Sequence, residues 1–200
     1  MKLLSSPASP FARKCRVLLI QTGQDDVAVV DVAASPMGGD AALLAANPTG
    51  KIPVLVRDDG PAIYDSRVIC RFLDDRADAG LYPADRLWEV LALEANADAI
   101  MDAAVAMTYE MRFRDEVGLV WPDWLDAQWA KIARSLYAIE ARAMPLLQGP
   151  ANAAQIAMGC ALGYLDLRHD ARGWRKGRDT LAAWQAEMSA RPAMVATAPA

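Results

Sequence analysis

Asn47-Pro48-Thr49-Gly50-Lys51-Ile52-Pro53-Val54-Leu55, followed after a turn by Ala62-Ile63-Tyr64-Asp65-Ser66-Arg67, is the stretch whose reading decides the fold. It describes a strand entered through a proline and a helix entered through Asp-Ser. A proline at the start of a strand cannot donate to the ladder, so it belongs at an edge or a first position and leaves the preceding residue's backbone groups free. Asp-Ser at a helix N-terminus offers N–H groups and the positive end of the helix dipole to an anion, and a carboxylate to a cation. Together the two elements suit a small zwitterion such as a peptide.

Outward from this stretch, the first 77 residues alternate element types. Residues 2–5 read as a short strand. Residues 10–21 read as a helix with Phe11, Cys15, Leu18 and Leu19 on one face, stopped by Gly23. The β-branched run 27–32 is a second strand. A loop with Pro36, Gly38 and Gly39 leads to a short helix at 40–46. Residues 52–57 make strand three, Asp58-Asp59-Gly60 a tight turn, 62–64 strand four and 66–77 the third helix. The order βαβ-α-ββα predicts a four-stranded mixed sheet with helices on its faces, an α/β arrangement of thioredoxin-like order.

After Pro83 the pattern turns helical. From residue 86 to about 117, Leu93, Ala97, Ile100, Met101, Ala104, Met107 and Met111 recur at helical spacing, and Pro122 opens another long helix at its first turn. Residues 152–167 are nearly all apolar and predict a helix buried on every side, with Asn152 and Gln155 at capping-box spacing. A last helix spans 180–190, before Arg191-Pro192. The expected domains are therefore 1–77, a linker at 78–85, and an all-helical domain at 86–200.

Composition narrows the chemistry. An apolar fraction of 54% is high, yet no window approaches the roughly 18 uninterrupted apolar residues of a membrane helix. Met1-Lys2-Leu3-Leu4 runs at once into Ser5, Ser6 and Pro7, so no secretory signal is expected and the cytoplasm is the default compartment. The 21 basic and 25 acidic residues are spread along the chain, which argues against a nucleic-acid footprint. Cys15, Cys70 and Cys160 lie far apart among apolar neighbours and read as buried thiols. His169 is the only histidine, which removes most metal sites and leaves little for a Ser-His-Asp hydrolase; no metal is expected. Near a helix end beside Arg168 and Asp170, it reads as a cap or a solvent-facing ring.

The segments Ser9-Pro10-Phe11-Ala12-Arg13-Lys14-Cys15-Arg16, Asn47 to Leu55, Tyr64-Asp65-Ser66, Leu81-Tyr82-Pro83 and Arg191-Pro192 follow one another in an order and spacing that resembles the glutathione transferase superfamily, in its bacterial serine-type members. The resemblance covers essentially the whole chain. It implies a glutathione transferase that activates the thiolate of glutathione, its cosubstrate, for attack on a small hydrophobic electrophile. It implies further that Ile52, before a cis Pro53, pairs its backbone with the cysteinyl unit, that Asp65 and Ser66 hold the γ-glutamyl end, and that Lys51 neutralises the glycyl carboxylate. Ser9 would face the sulfur as the catalytic hydroxyl. Phe11, Met107, Tyr109, Phe113 and Trp121 are candidates for the acceptor pocket, with Trp124 beside them. A homodimer is implied, with no nucleic acid or membrane partner.

Other readings of the same residues stand beside these. Ser9-Pro10 is also an ordinary N-cap followed by an N1 proline, and Ser5 and Ser6 are rival hydroxyls. Asp65-Ser66 is also a plain helix cap, and the Met101, Met107 and Met111 stripe is also core packing. The superfamily's acidic residue at the third position of the buried helix is Gln155 here. The same fold also serves in some members as a non-catalytic adaptor for protein interaction, and glutathione-dependent isomerisation, dehalogenation or peroxide reduction are alternative activities.

Overall fold

The computed structural model describes residues 1–199. The chain divides into two units, one of Met1–Asp85 with the tail from Arg191, the other of Arg86–Ala190.

In the first unit β1 (Lys2–Ser5) is the central strand, with β2 (Ala28–Asp31) parallel on one side and β5 (Val54–Val56) antiparallel on the other. Successive strand side chains point to opposite faces. Leu4 and Val54, opposite each other in the ladder, pack with Leu43 of α2 (Ala41–Ala46). Leu3 and Leu55, also paired, are left for the other face and are fully buried. Each such leucine contributes about 1.5–3 kcal/mol of apolar burial. The helices α1 (Pro10–Gln21) and α3 (Ser66–Ala77) pack on each other, and α3 on β5.

The sheet has three strands rather than the expected four. The fourth is reduced to a bridge in which Leu55 and Ile63 exchange two backbone hydrogen bonds of 3.0 Å. Pro61 has no N–H to extend the pairing, and the chain after Ile63 turns at once into the cap of α3. The loop after β2 contains a small hairpin, β3 (Ala34–Ser35) with β4 (Gly38–Gly39), which the sequence pattern does not announce. Residues 78–85 continue the first unit: Asp74 accepts from the Leu81 amide at 2.7 Å, and Arg71 lies over the Tyr82 ring at 4.7 Å.

The tail from Arg191, read with the helical half, groups with the first unit. It forms α8 (Pro192–Ala196), which Arg13 of α1 holds by donating to the Met194 carbonyl at 3.0 Å and to Thr197 Oγ1 at 3.4 Å. An arginine on a helix predicts no such long-range partner from its neighbours.

In the second unit α4 (Leu87–Arg114) packs on α5 (Pro122–Ala138) and on α6 (Ala153–His169), and α7 (Asp179–Ser189) packs on α6. From Asn152 through Leu162 every residue is buried, as the apolar run predicts. Asn152 accepts from the Gln155 amide at 3.0 Å, the expected cap. The second half of the capping box is replaced. Gln155 Nε2 donates to the Gln148 and Pro150 carbonyls at 3.4 and 3.2 Å, which a carboxylate cannot do. No described helix is long and apolar enough to cross a membrane.

Candidate active site

Sheet topology gathers the candidates of the first unit. β1 ends at Ser5, opposite the start of β5, because Leu4 pairs with Val54. The loop from Ser6 to Ser9 and the Ile52-Pro53 bond therefore leave the sheet at the same end. The Leu55–Ile63 bridge is antiparallel, so Tyr64 and Asp65 run back to the level of Pro53. Ser9, Ile52-Pro53 and Asp65-Ser66 thus share one end of one sheet, outside the ladder.

Ser9 is the N-cap of α1, with extended backbone and Pro10 next in the helix. Its Oγ accepts from the Ala12 amide at 3.2 Å, and its own amide donates to the Ser6 carbonyl at 3.1 Å. The capping reading is therefore realised. It does not compete with a chemical role, because capping uses a lone pair and leaves the hydroxyl hydrogen to donate elsewhere. Of the rival hydroxyls, Ser5 is fully buried with no partner for its Oγ among the described residues, and Ser6 is half-buried.

The Ile52-Pro53 peptide is cis. The β1 ladder starts at Val54, leaving Ile52 outside it. Lys51 is exposed, and its carbonyl is tied down by Asn47, whose Nδ2 donates to it at 2.8 Å. Asn47 is buried, and its Oδ1 also accepts from the Thr49 amide and hydroxyl. Gly50 closes this turn at φ +66°, where a side chain would be strained and its Cβ would stand 3.2 Å from Leu44.

Asp65 caps α3 by accepting from the Arg67 amide at 3.0 Å, and the Tyr64-Asp65 peptide before it is cis. Arg67 reaches back to both carboxylate oxygens, Nη2 to Oδ2 at 2.8 Å and Nε to Oδ1 at 3.4 Å. This pairing with Arg67 holds the Asp65 carboxyl below its ordinary range, and the charge of Lys14 acts in the same direction. The carboxylate is ionised at neutral pH, with about half its side chain exposed (53%). Ser66 is buried, and its carbonyl accepts from the Cys15 thiol at 3.8 Å, joining α1 to the start of α3. Cys15, Cys70 and Cys160 are all free and buried, as read.

Three residues of this end escaped the sequence reading as parts of a site. Asn47 was visible as an Asx-turn signal, and Arg67 as a cation two residues after the cap. Lys14, buried on α1, gave no signal because only the fold brings it near Asp65.

The acceptor-pocket candidates divide. Phe11 is half-buried in the second position of α1. Of the α4 residues, Met101 and Met107 are buried, whereas Met111 is exposed. Tyr109 and Phe113, one turn apart, stack at 5.6 Å, with Arg112 over the Phe113 ring at 5.5 Å. Trp121 is exposed, its amide donating to Glu110 at 3.1 Å, and Trp124 is half-buried in α5. The His169 side chain makes no cap, and the ring is half-buried rather than turned to solvent. Its Nε2 donates to the Ala104 carbonyl of α4 at 2.8 Å, beside a Tyr164 hydroxyl that donates to Thr108. Burial holds the imidazole below its ordinary range, against the effect of the Ala104 hydrogen bond.

Two family models match the chain. The N-terminal domain of glutathione S-transferase covers residues 8–76 and its C-terminal domain covers residues 122–186. The GST-like protein YibF of Escherichia coli K12 is 33% identical over all of this chain and 98% of its own length. This chain belongs to the glutathione S-transferase family. A glutathione transferase family member from Pseudomonas fluorescens Pf-5, solved with bound glutathione, is 46% identical with a TM-score of 0.95, covering 100% of this chain and 98% of that one. A second structure from that bacterium, with bound S-(propanoic acid)-glutathione, is 44% identical with a TM-score of 0.91 and covers both chains fully, 100% each. The first family match spans Ser9, Lys51 to Pro53, Asp65 and Ser66. Met107, Tyr109, Phe113 and Trp121 lie between the two matched segments.

Proposed function

We propose that this protein is a glutathione-dependent transferase that conjugates the tripeptide to a small hydrophobic electrophile. The observation that carries the reading is the gathering of Ser9, Ile52-Pro53 and Asp65-Ser66 at one end of the sheet. Each group suits one part of the ligand. An ionised Asp65 and the first-turn amides of α3 match an ammonium and a carboxylate on one carbon. Ile52, outside the ladder, offers backbone groups to a peptide, and Lys51 offers a cation to the glycyl carboxylate.

Ser9 then acts on the sulfur. A hydroxyl donating to a thiolate at the N-terminus of α1 stabilises the anion through the hydrogen bond and through the dipole, so the thiol loses its proton at lower pH. Attack on an electrophilic carbon forms the C–S bond and expels the leaving group, or, with an activated alkene, moves a proton to the neighbouring carbon. The bound S-substituted tripeptide in the 44% identical relative supports conjugation. Tyr109, Phe113 and Trp121, with Met107 and Phe11, are the groups proposed to meet the apolar electrophile. The proposal extends to a cytoplasmic homodimer, and light scattering tests the dimer.

Calorimetry with glutathione, followed by a panel of chloronitrobenzenes, activated alkenes and hydroperoxides, tests the reading. Saturable binding and thioether products support it. Absence of binding up to about 10 mM, a level at which even weak specific ligands register, overturns it. Binding without turnover favours an adaptor.

A further inference from the structure

In the second unit, residues 111–119, which run from the last turn of α4 into its connection to α5, are all exposed. Gly118 turns the chain at φ +65°, its amide donating to the Asp115 carbonyl at 2.9 Å, and the Leu119 amide donates to the Arg114 carbonyl at 2.9 Å. These contacts close the connection onto the end of α4. The start of α5 is less ordinary. Trp121 stands in the N-cap position with extended backbone, and its side chain makes no capping hydrogen bond. Helix starts are usually held by the side-chain oxygen of Ser, Thr, Asp or Asn, and an indole has only a donor.

Glu110 of α4 holds this start from outside the helix. Its Oε1 accepts from the Trp121 amide at 3.1 Å, and its Oε2 lies 3.5 Å from Arg114 Nη1. The Glu110 side chain is 11% exposed, although the nine residues that follow it are all exposed. A carboxylate so covered is kept where donors meet it, and the N-terminus of α5 adds the favourable end of a helix dipole. Glu110 stands between Tyr109 and Phe113, whose rings stack at 5.6 Å, so the contact returns the chain to the level of that stack. The Trp121 side chain is itself exposed, and packing therefore does little to fix it.

We propose that Glu110 is a positioning residue for the electrophile: by taking the Trp121 amide it holds that indole at the level of the Tyr109 and Phe113 stack, and so sets how tightly apolar electrophiles are bound. This rests on the reading of Tyr109, Phe113 and Trp121 as groups that meet the electrophile. Glu110 acts through Trp121 and not on the sulfur, so its loss belongs in KM for the electrophile and not in kcat or in glutathione affinity.

A double-mutant cycle on the full-length protein, with a chloronitrobenzene as electrophile, tests this. Glu110→Ala is expected to raise KM for the chloronitrobenzene by about twofold to fivefold, as large an effect as that of Trp121→Ala, with kcat and the calorimetric affinity for glutathione unchanged. In the Trp121→Ala background the same substitution should add nothing, because the side chain it positions is gone. Glu110→Gln keeps an oxygen that accepts from the amide and should restore KM. In protein labelled with 5-fluorotryptophan, the Trp121 resonance, assigned by its loss in Trp121→Phe, should shift or broaden in Glu110→Ala and return in Glu110→Gln. Should Glu110→Ala fail to fold, Glu110→Leu, which keeps the bulk and removes the acceptor, takes its place. A KM or a Trp121 resonance unchanged in the variant that folds, a rise in KM that persists without Trp121, or a loss of glutathione affinity overturns this proposal alone. Absence of turnover by the unmodified protein overturns the conjugation reading and this proposal with it.

Discussion

At the sheet end each candidate group is fixed by partners within a few residues of it in the chain, whereas among the candidates near the C-terminal end of α4 Met107 is buried and Phe113 and Trp121 stand exposed. Ser9 is pinned by the Ala12 and Ser6 hydrogen bonds, the 47–51 turn by Asn47, and Asp65 by the amide and guanidinium of Arg67. Phe113 and Trp121 are exposed and carry a ring stack and one amide contact. The first arrangement is suited to recognising one invariant ligand with little ordering cost, the second to accommodating apolar partners of differing shape.

Replacing Ser9 should break the first side of this comparison most severely. Ser9→Ala is expected to lower kcat/KM for conjugation by about a hundredfold, the usual loss on removing one anion-stabilising donor, with glutathione affinity nearly unchanged. Stopped-flow titration of the bound thiol should show its pKa rising; an unaltered rate would transfer the role to Ser6 or to backbone amides. Asp65→Asn is the next largest. Asparagine caps a helix as well as aspartate, so α3 should persist while the lost charge weakens glutathione binding by about tenfold in calorimetry.

On the adaptable side the effects should be smaller. Trp121→Ala is expected to change KM for apolar electrophiles by about twofold to fivefold, because exposed contacts at a rim contribute little, and to leave glutathione affinity as it was. A loss of glutathione binding in this variant would show that the two regions are not independent. The smallest effect concerns His169. Burial keeps its folded-state pKa below the ordinary value of 6.5, so the unfolded chain takes up the proton first as the pH falls. Stability should therefore decline as the pH is lowered from neutrality through 6.5 and level off below the folded-state pKa, and His169→Gln should flatten that part of the denaturation profile.

How much of this was legible follows from where the signals lie. The helices at Pro10, Ser66 and Pro122 begin where their caps and N1 prolines place them, and the buried α6 was plain from its unbroken apolar run. The fourth strand was overread, because a hairpin signal at Asp58-Asp59-Gly60 says that the chain returns and not how many residues pair on the way back. His169 was misplaced for a similar reason. Charged neighbours in sequence suggest solvent, but its partner is the Ala104 carbonyl on another helix.

The sequence by itself determined the mixed α/β first half, the helical remainder, and the caps, turn and proline of the candidate site, because each of these is a local preference written within a few residues. Tertiary structure alone decided that Lys14 and Asp65 feel each other, that Arg13 holds α8 against the first unit, and that His169 meets the Ala104 carbonyl of α4. Those are contacts between residues far apart in the chain, and only the packing of whole elements sets their distances.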